Sequence, residues 1–448
     1  MGGSVKHRGG SVNRRVSRRA VLRKAAQLGL TLPALSLIEA YAGGGRPAAA
    51  QGAGAVAISW YVGKDVTDAN KTLVEMFNSR QSRIRVNWQE QPPSTSDQHD
   101  KYVSILAAKD PSIDVFALDI PFVPEFASAQ WLTPLDDSFD KAELGRAFFS
   151  GPLRGANYGG KLWAIPWFNN AAVLFYRKDL LDTAGLKPPA TYAELVQAAS
   201  KLRTPDMEAG FTWQGAQYEG CAVDFFEYLW GHGGEFFNDK GEVVVDRAPG
   251  QRALQFMVDL IDTYKVTPIA VTTWKETESR NVFVQGKAVC ERNWIGDYAI
   301  ANAAGSKIVG KVGITPLPAA PGHKGQSVLG TWNLAISRFS RHKKEAAEFI
   351  RFMTGAEAMK VNYQHAGRIP PRHAVFDDAD IRKQYPYIDA LKPVFEQARP
   401  RPVRPDYGQI SAEAIQPNLA AALTKQKTVP AALKDMAAAA ARIAKTSR

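Results

Sequence analysis

Short apolar runs of strand length alternate with stretches of helical period along this 448-residue chain, and that alternation constrains the fold more than any other feature. Ala55-Val56-Ala57-Ile58-Ser59-Trp60 reads as a buried strand that runs into a loop holding Gly63, Lys64 and Asp65. A helix follows over 69–80 with Leu73, Val74 and Phe77 as its apolar stripe. Residues 84–88 alternate as a second strand, 102–108 are helical, and 113–118 form a third, buried strand ending at Asp119. Strands separated by helices imply a mostly parallel α/β sheet. Ligands in such sheets bind at the carboxyl ends of the strands, where Asp65 and Asp119 fall.

The pattern continues past a short apolar, aromatic segment at 162–168 and a strand at 173–176. Helices are expected over 192–202, 221–231 and 249–264, then a strand at 311–316, a Pro/Gly-rich loop at 316–325 and a strand at 328–337. A charged helix at 343–353 carries Ala346, Ala347, Phe349 and Ile350 on one face, and 431–444 is an Ala-rich helix. A chain this long exceeds one ordinary core, so two domains are expected.

The formal charge of +12 suggests nucleic acid, but its distribution argues otherwise. Residues 1–50 hold nine basic residues and a single acid, Glu39, which leaves 47 basic and 43 acidic residues over 51–448, a net of +4. The basic cluster Arg338, Arg341, Lys343, Lys344 reads as the solvated start of a helix, so no nucleic-acid partner is expected.

The excess of charge belongs to a leader. Ser17-Arg18-Arg19-Ala20-Val21-Leu22-Arg23-Lys24 is a twin-arginine pattern, followed by an apolar stretch at 25–42 interrupted by Pro33. Ala40-Tyr41-Ala42 and Ala48-Ala49-Ala50 suit a signal peptidase. Residues 1–50 are therefore expected to be a Tat signal peptide that engages the Tat translocase and releases a soluble periplasmic protein. The alternatives are a basic surface helix and an uncleaved membrane anchor, against which the short, broken apolar run argues. No cysteine follows that run, so no lipid anchor is expected.

Cys221 and Cys290 are too few for a disulfide framework, and no Cys/His spacing suggests metal. Buried free thiols are expected, with one disulfide between them as the alternative after export. There is no G-x-G-x-x-G, P-loop, G-x-S-x-G or H-E-x-x-H, so neither a cofactor nor a catalytic residue is assigned. A carboxylate pair for glycoside hydrolysis can be assembled from Asp119, Glu125, Glu219 or Glu227, but spacing in sequence does not bring two of them together.

The tryptophans carry more. Trp60, Trp163, Trp167, Trp294 and Trp332 lie at expected strand ends or in Gly- and Asn-rich turns. Sugars offer C–H faces that stack on indoles and hydroxyls that need carboxylates and amides. Plain core packing is the alternative for any one of them.

Several ordered segments look familiar. Asp114-Val115-Phe116-Ala117-Leu118-Asp119, then Trp131-Leu132-Thr133-Pro134-Leu135-Asp136, then Trp163-Ala164-Ile165-Pro166 and Leu174-Phe175-Tyr176-Arg177-Lys178-Asp179-Leu180 resemble carbohydrate-type solute-binding proteins (family 1) of ABC importers. Gln214-Gly215-Ala216-Gln217-Tyr218-Glu219-Gly220, the segment from Phe283 to Trp294, and Gly330-x-Trp332 are similar to the trehalose/maltose-binding branch. The resemblance covers essentially the whole chain after the leader.

It implies an α/β, two-lobed periplasmic-binding-protein fold of the hinged type II, or Venus-flytrap, kind with interlobe chain crossovers. One lobe takes 55–167 and 332–373, the other 168–331 and 374–448. The protein would be a monomer without catalysis that closes on a sugar in the cleft and presents it to the permease subunits of an ABC transporter. The implied sugar-binding residues are Asp65 in the first loop, Asp119, Asn170, Trp294 and Trp332 as stacking planes, and Arg401 reaching the sugar. The chain departs from the pattern where Asp65 stands near an expected glutamate, where Asn170 replaces an aspartate, and where Ile295-Gly296-Asp297 replaces Pro-Tyr. Trehalose, maltose, sucrose and other α-linked disaccharides all remain open, as do a glycoside-processing enzyme and a sensory binding protein.

Overall fold

Strand β1 (Val56–Gly63) buries every second residue, Ile58, Trp60 and Val62, against the helix that follows it, α1 (Ala69–Arg80). The Leu73, Val74 and Phe77 face of α1 covers those side chains, as the sequence period requires. The computed structural model describes residues 54–385 and 387–446, so the leader reading of residues 1–50 lies outside the described residues. Strand β2 (Ile84–Gln91) pairs in parallel with β1, and β3 (Val115–Asp119), buried at every residue, pairs in parallel on the other side. Helix α2 (Thr95–Ala107), between β2 and β3, begins seven residues before the expected start of the helix at 102.

The first sheet has the order β2-β1-β3-β9-β4, where β4 is Ala164–Phe168 and β9 is Trp332–Ile336. The second has the order β8-β5-β7-β6, built from β5 (Ala172–Arg177), β6 (Ala209–Thr212), β7 (Ala288–Trp294) and β8 (Val312–Thr315). Each sheet is the centre of one lobe. The expectation of mostly parallel pairing is corrected here: β9 is antiparallel to both β3 and β4, and β7 is antiparallel to β5. Strands β5 and β9 are entered from the other lobe, so they start at the interlobe end where their neighbours finish. A strand fed by a crossover from the far side must run against strands that end there. The expected strand at 328–337 is accordingly shorter, because 327–331 is connector rather than sheet.

Connectors at 169–171, 327–331 and 369–372 lie side by side. Leu329 bridges to Ala171, Asn169 to Ile369 and Val328 to Arg399. The Ser327 hydroxyl donates to the Ala172 carbonyl at 2.7 Å, and that of Thr331 to Asn169 Oδ1 at 3.0 Å.

Helices α3 (Tyr192–Leu202), α4 (Glu219–Gly231) and α5 (Ala248–Asp262) clothe the second sheet, with α3 opened by a Thr191–Glu194 capping box. Helix α6 (Lys343–Met353) lays Phe349 and Ile350 on the first sheet, with the Phe349 and Trp60 rings edge-on and their centroids 5.5 Å apart. Trp60 also meets Trp167 edge-on at 5.4 Å, so both of these tryptophans are core residues. The last helix, α7 (Val429–Thr446), packs with Gln416–Leu423 on α5. Cys221 and Cys290 are both buried free thiols. No helix among the described residues is long and apolar enough to cross a membrane.

Candidate functional site

The carboxyl ends of β3, β4, β6 and β7 and the amino ends of β5 and β9 all reach the crossover region. Asp119 closes β3, and its register partner on β9 is Trp332. The Arg401 guanidinium donates from one Nη to both Asp119 oxygens at 2.9 Å, and from the other to Glu219 Oε1 at 2.8 Å. Glu219, the first residue of α4, also accepts from the Tyr407 hydroxyl at 2.6 Å and from Ser411 Oγ. All five residues are buried. Burial works against charge on Arg401, but Asp119 and Glu219 outweigh it and hold the guanidinium above its ordinary pKa. The same burial pushes the Asp119 carboxyl up, with Arg401 opposing. Arg401 Nε is buried without a partner, an unmet donor beside the two carboxyls.

Trp332 is half-buried at the start of β9, nearly parallel to Phe168 at 6.3 Å and 19°. Arg368 lies over Phe168 at 5.2 Å and over Trp167 at 5.1 Å, and reaches Asp65 at 3.7 Å. Asp65 itself is turned into its own loop. It accepts from Thr67 N at 3.0 Å, Thr67 Oγ1 at 2.6 Å and Asn70 N at 2.7 Å, which fixes the entry into α1. Burial would raise its pKa, but Arg368 and these bonds hold the carboxyl below its ordinary value.

Trp294, half-buried at the end of β7, forms the second aromatic plane. Arg292 sits over one face of its ring at 4.8 Å. That guanidinium is fixed by Glu227 at 2.7 and 2.8 Å, by Gln214 Oε1 at 2.7 Å and by Asp224 at 2.9 Å. Gln214 returns a bond to the Arg292 carbonyl at 3.1 Å and another to Ser279 Oγ at 2.7 Å. Glu227 also accepts from Val328 N at 3.0 Å, which ties this cluster to the connector. Burial pushes Asp224 well above the usual carboxylate range, with Arg292 opposing and Glu227 adding to the rise.

Gly330, two residues before Trp332, presses against the other plane: a Cβ there would lie 2.8 Å from the Trp294 ring and 3.3 Å from the Asn170 Cβ. Only glycine allows that approach. The Asn170 carbonyl accepts from Gly330 N at 2.8 Å, while its half-buried side-chain amide has no partner among the described residues.

Asp119, Asn170, Trp294, Trp332 and Arg401 are thus gathered around the connectors, and Asp65 stands behind them through Arg368. Sequence reasoning did not single out Arg292, Phe168 or Arg368, and gave Glu219 no binding role. For Glu219 and Gln214 the signal was present in the Gln214–Gly220 motif, and for Arg292 in the segment ending at Trp294. The lobes also touch across the cleft. Glu219 N donates to Ser96 Oγ at 3.2 Å, and Lys275 Nζ lies 3.7 Å from Asp97. Among the described residues no group of His, Cys, Asp and Glu is arranged to hold a metal ion.

Residues 62–360 match the family described as bacterial extracellular solute-binding protein. A probable ABC transporter-binding protein of Deinococcus radiodurans is 36% identical over 352 residues, spanning 76% of this chain and 82% of that relative. The maltose-bound structure of MalE3 from T. maritima is 38% identical, covers 88% of this chain and 100% of its own, and superposes with a TM-score of 0.83. A solute-binding protein of Agrobacterium vitis with bound D-mannitol, 24% identical over 88% of this chain and 99% of its own, has the same fold at a TM-score of 0.77.

Proposed function

This chain is a bacterial extracellular solute-binding protein, and from that premise we propose that it captures an α-linked disaccharide between its lobes and delivers it to the permease of an ABC transporter. The observation that carries the reading is the pairing of two half-buried indole planes, Trp294 and Trp332, with a buried carboxylate–guanidinium group at Asp119 and Arg401. Indole faces take the C–H side of a pyranose, and charged hydrogen bonds take its hydroxyls. Asn170 adds an amide that donates and accepts. Asp65 acts through Arg368. The likeness to a maltose-bound protein at 38% identity favours maltose within this class, with trehalose and sucrose next.

The lobes in this reading comprise 55–167 with 332–373, and 168–331 with 374–448. The protein works without catalysis as a periplasmic monomer, exported through the Tat translocase on the strength of the Arg18-Arg19 leader. Arg18→Lys with Arg19→Lys should leave the precursor inside the cell; an unchanged periplasmic yield would refute that route.

Thermal unfolding against maltose, trehalose, sucrose, glucose, mannitol and ribitol tests the ligand class. A ligand at 100 times its dissociation constant adds about 2.7 kcal/mol to stability, which should raise the midpoint by at least about 2 °C. A saturable shift with a disaccharide that is recovered intact supports a receptor for that class. A shift confined to polyols overturns the disaccharide reading, and release of monosaccharide overturns the transport reading.

A further inference from the structure

A cavity of about 710 Å³ opens away from the connectors, between α3, the end of α4, α5 and the loop at 320–323. Glu219, at the first turn of α4, belongs to the cleft, while His232 follows the last turn of the same helix. Thirteen helical residues separate the two by roughly 20 Å, so this cavity is not part of the cleft. Its volume falls in the range of small-molecule sites, about 300–1,000 Å³.

The floor is three contiguous rings. Tyr192 is stacked on His232 at 4.8 Å and 25°, and lies 4.5 Å from Phe256 at 30°; all three are buried. Tyr264 forms a wall 6.2 Å from Phe256 and is 41% exposed. His232 Nδ1 lies 2.8 Å from the Tyr228 carbonyl, which assigns the ring proton to that nitrogen. Burial lowers its pKa below the ordinary histidine value, with Arg252 and His323 adding to the drop, so the imidazole stays neutral.

The rim is basic. Arg252 is exposed, reaches the His232 carbonyl at 3.4 Å and has no carboxylate partner among the described residues. His323 lies against the turn at Gly233, where φ is +73° and a Cβ would fall 2.4 Å from the imidazole. No Asp or Glu lines the cavity. The proposed cleft site relies on carboxyls and amides, whereas this cavity offers an aromatic floor, a neutral imidazole at His232 and an Arg252 guanidinium without a carboxylate partner among the described residues. That donor set suits a planar apolar body bearing an acid group.

We propose that this cavity is a second binding site, separate from the interlobe cleft, for a small organic anion whose flat body rests on Tyr192, His232 and Phe256 and whose acid group meets Arg252 and His323. The proposal does not depend on the ligand of the cleft. Benzoate, benzyl alcohol and benzylamine, titrated by calorimetry into the purified protein without sugar, are the probes. Benzoate should bind saturably and at least about tenfold more tightly than benzyl alcohol, the step of one charged hydrogen bond; benzylamine should not bind. Arg252→Ala should weaken benzoate about tenfold and leave benzyl alcohol unchanged. Ala193→Trp, on an exposed position of α3 at the cavity edge, should block both. Both substitutions replace exposed residues, and an unchanged melting midpoint confirms the fold. Equal affinity for benzoate and benzyl alcohol, or benzoate binding that survives Arg252→Ala or Ala193→Trp, would overturn the site. So would no benzoate binding at all, including the case where Arg252→Ala impairs only stimulation of the transporter, which would make the rim a docking surface for acidic side chains.

Discussion

Arg401 shows how a single residue can be read two ways from sequence, since its run Arg399-Pro400-Arg401-Pro402 also suits a surface segment. Instead its guanidinium is buried between Asp119, at the end of β3, and Glu219, at the start of α4. Removing one partner of a buried ion pair strands the other charge and costs about 3–5 kcal/mol. Arg401→Ala should therefore lower the urea midpoint by an amount of that order and abolish the sugar-dependent thermal shift. Retention of the shift would show that Arg401 supports the fold without touching ligand.

Asp297 makes a second prediction at this scale. It is paired with Arg280 at 3.2 Å, and burial pushes its carboxyl to about 6 despite that arginine. The folded protein then holds this proton more tightly than the unfolded chain, so the group's contribution is full below pH about 4 and lost as pH rises towards 6. A shift of about two units corresponds to roughly 3 kcal/mol. Asp297→Asn should stabilise the protein above pH 6 relative to wild type and flatten its stability between pH 4 and 6, measured by urea unfolding at each pH. An unchanged profile would show that the proton is shared elsewhere in the Glu276–Glu291 neighbourhood.

At the scale of elements, the connector at 327–331 does more than join two sheets. Val328 N bonds Glu227 beneath Trp294, Gly330 packs on the Trp294 ring, and Trp332 begins the strand paired with Asp119. One short segment therefore sets the spacing of both aromatic planes. Gly330→Ala should push the Trp294 ring by the few tenths of an ångström or more that a 2.8 Å contact demands. Overpacking of this kind costs about 1–3 kcal/mol. The expected outcome is a loss of sugar affinity larger than the loss of stability, read by comparing the calorimetric dissociation constant with the melting midpoint in the absence of sugar. Equal losses would place Gly330 outside the ligand's reach. Periodicity made α1 and α6 legible from sequence, through the Leu73, Val74 and Phe77 stripe and the Ala346, Ala347, Phe349 and Ile350 face. Strand direction in β5, β7 and β9 was not, because it depends on which lobe feeds the strand.

For the whole molecule, the two sides of the cleft meet through polar pairs, Ser96 with Glu219, Lys275 with Asp97 and Asp119 with Arg401, and through packing of residues 120–122 on residues 407–410. A hinge shifts only as far as a ligand binds the closed state better than the open one. Small-angle scattering should therefore show a smaller radius of gyration with saturating maltose than without it. An identical radius in both states would mean that closure is already complete in the free protein and that sugar selects nothing.

The sequence by itself determined most of the strands and helices that build the two sheets, and the family resemblance in it determined the class of fold. Strand and helix periods and the apolar stripes of α1 and α6 are local properties, and each follows from burial along a few consecutive residues. It also placed Asp119 at the end of a strand, and the resemblance supplied Asn170, Trp294 and Trp332, which the structure brings together around the connectors. Only the tertiary structure decided that Asp65 serves its own loop, that Arg292 and Glu227 hold Trp294, and that Arg401 joins two carboxyls 182 and 282 residues away. Those choices depend on which charges burial brings together, and sequence separation carries no information about that distance.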